Sequence, residues 1–303
     1  MMLKQLYFMV ILLLTQSTFA AAPAFEAYYK FILGGVHSGY VIQRFEIDNA
    51  KNEMTSMYYT YVKTPTGTTT ESLVAISDLT FEPKSYQYTA LVDGKIKSID
   101  ATFKNKKMTA KIIDDKKTQT VSLTVPANGF MSTFLNYVVL KNGMTVGKSY
   151  EFYALAEESP ACLRGEVPCD SKNRGFIKGT ALVESEQKMS GIPSFKLKIN
   201  YKGIDFLGYV APNGETLGSV SPLQDASTEI VATREEAVGE FPFKINHVKT
   251  VFGEIPLGVK NYLHVKPVSS KSNVEPQSKP RPETKPSPLY KENSTTESDK
   301  INN

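Results

Sequence analysis

The sequence has no tryptophan, only two cysteines and only three histidines, and after its first fourteen residues it has no long apolar run. Each scarcity excludes something. No two of His37, His247 and His264 stand four apart, as a helical metal pair requires, and neither cysteine lies near one of them, so no metal or cofactor site is expected. No Ser sits in a G-x-S-x-G elbow, and no phosphate-cradling glycine loop stands between a strand and a helix, so no catalytic residue is assigned. The formal charge of +4 is small, and the lysines are spread along the chain and not gathered in a stripe, which argues against a nucleic-acid partner. No stretch beyond the amino terminus is long and apolar enough to span a bilayer, which needs roughly 20 such residues.

What is present begins at the amino terminus. Lys4 precedes the apolar run Leu6–Leu14, and the small residues of Thr15–Ala22 follow. A cationic start, a core of this length and an A-x-A-like exit form a secretory signal, with cleavage expected after Ala20 or, as the near alternative, after Ala22. A periplasmic or secreted location follows, and it colours the cysteines. Cys162 and Cys169 lie in one Pro/Gly-bearing loop, and in an oxidising compartment such neighbours are expected to form a structural disulfide. The ring is short, so it would shape the loop more than it stabilises the whole.

Sixteen Tyr and sixteen Phe favour strands. From Phe25 to Pro126 apolar and polar residues alternate between turn signals: Gly34-Gly35, Pro65-Thr66-Gly67, Asp93-Gly94, Asn105-Lys106 and Asp114-Asp115. Strands are predicted near 54–63, 68–77, 84–92, 96–104, 107–113 and 118–125, an antiparallel meander. Phe130, Phe134, Tyr137 and Val138 fall at helical spacing, which predicts one packed helix over 130–140. Strands resume at 149–156, 175–186 and 195–201, where Phe195, Leu197, Ile199 and Tyr201 alternate with Lys196, Lys198, Asn200 and Lys202. Arg234–Val238 reads as a short polar helix at most, and 243–251 as strand-like.

The domain reading is therefore a signal peptide over 1–20, a β-rich domain over 21–266 with two sub-sheets conceivable about a division near 127–148, and a tail over 267–303. That tail holds six prolines and few sizeable apolar side chains, too little to offset ordering entropy, and is expected to be disordered. The fold class expected is mainly β: a large curved antiparallel sheet or half-barrel with one helix packed against it.

Candidate chemistry is sparse. His37, in the glycine-flanked first hairpin loop, is a loop candidate for a base, although such a His is more often a polar turn residue. Glu157-Glu158, Glu235-Glu236 and Asp114-Asp115 are the acidic pairs. Neighbours on a strand point to opposite faces, so Glu157 and Glu158 read as a solvated edge and not as a pair acting on one substrate.

The hairpin Tyr28–Tyr40 (YYKFILGGVHSGY), the stretch Thr70–Leu79 (TESLVAISDL) and the turn Val210–Glu215 (VAPNGE) resemble, in order, features of exported bacterial β proteins of the domain-of-unknown-function 3108 type. The resemblance spans roughly residues 25–238 and implies a curved antiparallel sheet similar to the lipoprotein-carrier half-barrel. It carries over no activity. The function expected is a non-enzymatic envelope protein that binds an apolar or lipid-like ligand or an envelope component. A scaffold or adaptor using the tail, and a hydrolase with a dispersed site around His37 or Glu157-Glu158, are the alternatives.

Overall fold

The computed structural model describes residues 22–252 apart from 167, 168 and 170–173. The expected signal peptide over 1–20, His264 and the expected tail over 267–303 lie outside the described residues.

Alternation and tight turns build the first half as a run of hairpins. β1 (Ala22–Leu33), β2 (Val36–Asp48), β3 (Glu53–Thr64) and β4 (Gly67–Ser77) are followed by β5 (Pro83–Val92), β6 (Lys95–Lys104), β7 (Lys107–Asp114) and β8 (Lys117–Thr124), each antiparallel to the one before. The short β9 (Gly129–Met131) then runs parallel to β10 (Ser149–Leu155). A second run completes the chain: β11 (Phe176–Met189), β12 (Ile192–Tyr201), β13 (Ile204–Val210), β14 (Thr216–Ser221) and β15 (Ala226–Val231). The segment near 127–148 joins the two runs. β15 pairs antiparallel with β1, from Tyr28 opposite Val231 to Leu33 opposite Ala226, so both runs belong to one 15-stranded sheet.

That sheet is curved. Val121 and Leu123 of β8 share one buried cluster with Leu155 of β10 and Phe176 of β11, strands at opposite ends of the strand order. A flat sheet with strands about 4.8 Å apart would hold them tens of ångströms from each other. Helix α2 (Pro160–Arg164) ties the two ends together, its Arg164 Nη1 lying 3.2 Å from Asp114 Oδ2 at the β7–β8 turn. The expected curved, mainly antiparallel architecture is thus the one observed.

The helix expected over 130–140 is shorter and more broken. Gly129–Met131 pairs as β9, Ser132–Phe134 is a 3₁₀ turn (η1), and only Leu135–Lys141 is α-helical (α1). Phe130 is claimed by backbone pairing with β10, which its helical spacing to Phe134 could not reveal. The stripe still fills the core. Phe134 is fully buried against Phe45 and Phe81, with ring centroids 6.2 Å away in each case, and Tyr137 meets Phe45 edge-on at 4.9 Å. This insertion plugs the concave side near the β2–β3 end and leaves the other end unfilled.

The convex face is covered by α3 (Arg234–Val238) and α4 (Ile245–Phe252). α4 replaces the strand-like reading of 243–251. Its Ile, Val and Thr suit a strand by propensity, but Val248 and Phe252, four apart, are both buried against Tyr28, Tyr40 and Ile42 of β1 and β2. One apolar stripe is all the outer face needs, and packing decides for the helix. Beneath it lies a buried ion pair, Arg44 with Glu26, which also accepts from the Tyr28 hydroxyl.

Candidate functional site in the concave face

The unfilled end of the concave face is a cavity of about 540 Å³. Phe31, Tyr58, Leu73 and Phe206 supply apolar and aromatic wall from β1, β3, β4 and β13. Ser219, Ser221 and Thr228 supply hydroxyls from β14 and β15. The Ser221 hydroxyl oxygen is buried with no hydrogen-bond partner among the described residues.

Polar side chains converge at one side. Glu157 lies two residues beyond Leu155, the last residue of β10, where Ser159 N donates to Ala156 O at 3.1 Å and turns the chain out of the strand. Because these residues have left the pleat, the alternation that would send Glu157 and Glu158 to opposite faces no longer applies, and both line the cavity. The solvated-edge expectation is corrected for Glu157, which is only 2% exposed. Glu235 is exposed as expected, beside Arg234, and Asp114 is engaged by Arg164.

Ser132 Oγ donates to Glu157 Oε2 at 2.6 Å and the Thr133 N–H to Oε1 at 3.2 Å. η1 is held over the sheet by a 2.6 Å hydrogen bond between Thr133 Oγ1 and Ser56 Oγ. Desolvation is the dominant influence on Glu157 and pushes its carboxyl up to about 7. Its bonds to Ser132 and Thr133 and the nearby Lys202 pull the other way.

Lys202 is aimed inward by the β12–β13 turn, in which Lys202 and Gly203 both take positive φ (57° and 74°), the pattern of a tight two-residue hairpin. Its ammonium pairs with Glu158 and lies 5.5 Å from the Tyr201 ring centroid. Burial lowers its pKa, against the upward pull of Glu157 and Glu71. Glu71 on β4 is raised by burial and hydrogen-bonded to Tyr88. Burial drives Tyr58 well up, reinforced by Glu71, Tyr88 and Glu157. In the sequence, Glu71 and Lys202 are members of alternating strands. Nothing local marked them, because their proximity depends on the curl.

His37 is placed elsewhere. Its Nε2 is 2.9 Å from Gly39 O and 3.0 Å from Ala237 O, and its ring meets Phe241 edge-on at 5.0 Å. Two carbonyl acceptors require that Nε2 carry the hydrogen, so His37 ties the first hairpin to α3 on the convex side. It is not brought to the cavity. Cys162, in α2 with Arg164, and Cys169, just beyond that helix, lie at disulfide distance, Cα–Cα 5.1 Å. Among the described residues no group of three or more His, Cys, Asp or Glu is placed to hold a metal ion. A second cleft of about 910 Å³ runs along α1 and β10, but it contains no comparable cluster of buried ionisable groups.

No family model matches the chain, and no curated protein does. Among solved structures, the crystal structure of a DUF1089-family protein from Pseudomonas aeruginosa is similar at TM-score 0.36 and 10% identity, covering 61% of this chain and 90% of that one. A likeness at that level assigns neither fold nor function.

Proposed function

We propose that the protein is an exported, non-enzymatic binding protein that holds an apolar or amphiphilic ligand in the concave face of its sheet. The observation that carries this reading is the cavity of about 540 Å³, walled by Phe31, Tyr58, Leu73 and Phe206, with Glu157, Glu158 and Lys202 at one side and the hydroxyls of β14 and β15 also in its lining. Ligand pockets are typically of about 300–1,000 Å³, mostly apolar, with a small number of convergent polar groups. A chain that wanted only a solid core would carry side chains into that space, as Phe134 and Tyr137 do at the other end.

Export is supported by the amino-terminal pattern and by two cysteines at disulfide distance. No helix among the described residues is long and apolar enough to cross a membrane. Amino-terminal sequencing of the protein recovered from a periplasmic fraction is expected to begin at Ala21. Recovery only from the cytoplasm with Met1 intact would refute export.

The binding reading is tested by native mass spectrometry and solvent extraction of the purified protein. A co-purifying amphiphile, lost in the cavity-filling variant Leu73→Trp, is expected. A ligand-free protein that also fails to take up added amphiphiles would refute it. The contact of Ser132 Oγ with Glu157 favours a hydrolase as the second reading, since a carboxylate could relieve the hydroxyl of its proton. Turnover of ester substrates, abolished by Ser132→Ala, would establish that reading over simple binding.

A further inference from the structure

We infer that the polar side of the cavity takes the ammonium group of a cationic amphiphile, set against Glu157 with its apolar chain along Phe31, Leu73 and Phe206. This rests on the binding reading above and names the ligand class.

The charge around the site points one way. From the β10–α2 turn come Glu157 and Glu158, from β4 Glu71, and from the β12–β13 turn Lys202. Lys97 on β6 acts on Glu71 from the far side. η1 adds only the neutral Ser132 and Thr133, and β3, β5 and β12 add the hydroxyls of Tyr58, Tyr86, Tyr88 and Tyr201. Lys202 is committed to Glu158. Glu157 makes no ion pair at contact distance: of roughly four lone-pair sites on a carboxylate, Ser132, Thr133 and its own backbone N–H take up three, and Lys202 acts on it without touching it. An anion here would face a majority of carboxylates.

The protein also displays the chemistry it offers. The Lys202 ammonium rests between a carboxylate, Glu158, and the face of a ring, Tyr201. Aromatic faces and carboxylates together are the surroundings in which ammonium groups, quaternary ones included, are recognised. Tyr58 and Phe206 line the same cavity as Glu157 and extend that aromatic surface.

A bound ammonium and a proton would compete for Glu157, whose titration lies near neutrality. Affinity should therefore rise by about tenfold from pH 6 to pH 8, as the ionised fraction does.

The experiment is calorimetric titration of the mature protein, below micellar concentrations, with decyltrimethylammonium, decanoate, 1-decanol and tetramethylammonium. We expect decyltrimethylammonium to bind at least about tenfold more tightly than decanoate at pH 8, as an ion pair in a partly desolvated site allows. Tetramethylammonium, which lacks the chain, should bind far more weakly. Glu157→Gln should remove most of the preference, and the partly exposed Glu158→Gln should reduce it, each with a single cooperative melting transition to show an intact fold. Decanoate binding as tightly as the cation, or a preference untouched in Glu157→Gln, would overturn the inference while leaving the cavity a binding site. Tetramethylammonium binding as well as the decyl compound would overturn the amphiphile. Failure of all four probes would take the binding reading down with it.

Discussion

Glu157 gives the sharpest prediction, because its burial has a stability cost with a definite pH signature. Its carboxyl is 2% exposed, and burial pushes it from 4.5 up to about 7. The folded state therefore holds its proton more tightly than the unfolded chain does. Below about pH 4.5 both states are protonated and the group costs nothing. As pH rises, the unfolded chain ionises first, and stability falls until the folded carboxyl has also ionised, above about pH 7. Each pH unit between the two titrations is worth about 1.4 kcal/mol, so the full loss is roughly 3 kcal/mol. About 2–3 kcal/mol of it falls between pH 5 and pH 8. Glu157→Gln removes the titration but keeps one carbonyl acceptor for Ser132 or Thr133, at a cost of about 1 kcal/mol for the lost bond. Urea unfolding of both proteins at the two pH values isolates the effect, since titrations not coupled to Glu157 cancel in the difference. The variant should be slightly less stable at pH 5 and more stable at pH 8. A difference that is the same at both pH values would refute the placement of Glu157 in a desolvated cavity.

Three further outcomes follow from packing. Phe134→Ala, at the centre of the plug against Phe45 and Phe81, should cost about 3–5 kcal/mol in urea unfolding and enlarge the concave cavity. Arg44→Met leaves the Glu26 carboxylate buried without its counter-charge and should cost about 3–5 kcal/mol, whereas the double variant Arg44→Met, Glu26→Gln should recover a large part of that loss. A double variant as unstable as the single one would mean the pair does not interact. Gly39→Ala should lower the thermal midpoint by several degrees, because its Cβ would stand 1.9 Å from the Tyr61 carbonyl oxygen and push β2 off β3, a cost of about 2–3 kcal/mol. An unchanged midpoint would show the two strands free to part there.

The strand meander was legible because its signals are local. Alternation and turn residues put β3, β5 and β6 within about two residues of where they lie. Two misreadings share a cause. Phe130 was counted into a helix because its spacing to Phe134 is helical, but a parallel pairing with β10 took it. Residues 243–251 were counted as strand because they are rich in β-branched side chains, but the surface awaiting them was a finished sheet face, which a helix stripe covers. In both, a distant partner outweighed local preference. The site was less legible still. Strand alternation carried through Glu157 points it to a solvated edge, whereas the turn at Ala156–Ser159 ends the strand. His37, chosen for its glycine-flanked loop, serves as a tie to α3.

By itself, then, the amino-acid sequence determined the mainly β class, the hairpin order and the proximity of Cys162 to Cys169, all of which depend on neighbours in the chain. Only the tertiary structure decided that β1 pairs with β15, that the sheet curls until β8 meets β10, and that Glu157 and Lys202 line one cavity with Glu71 close enough to act on Lys202. Those groups are separated by up to 131 positions. Their meeting depends on how far the sheet twists and on how much of its hollow the Phe134–Tyr137 plug occupies, and each is a property of the assembled packing that no local pattern encodes.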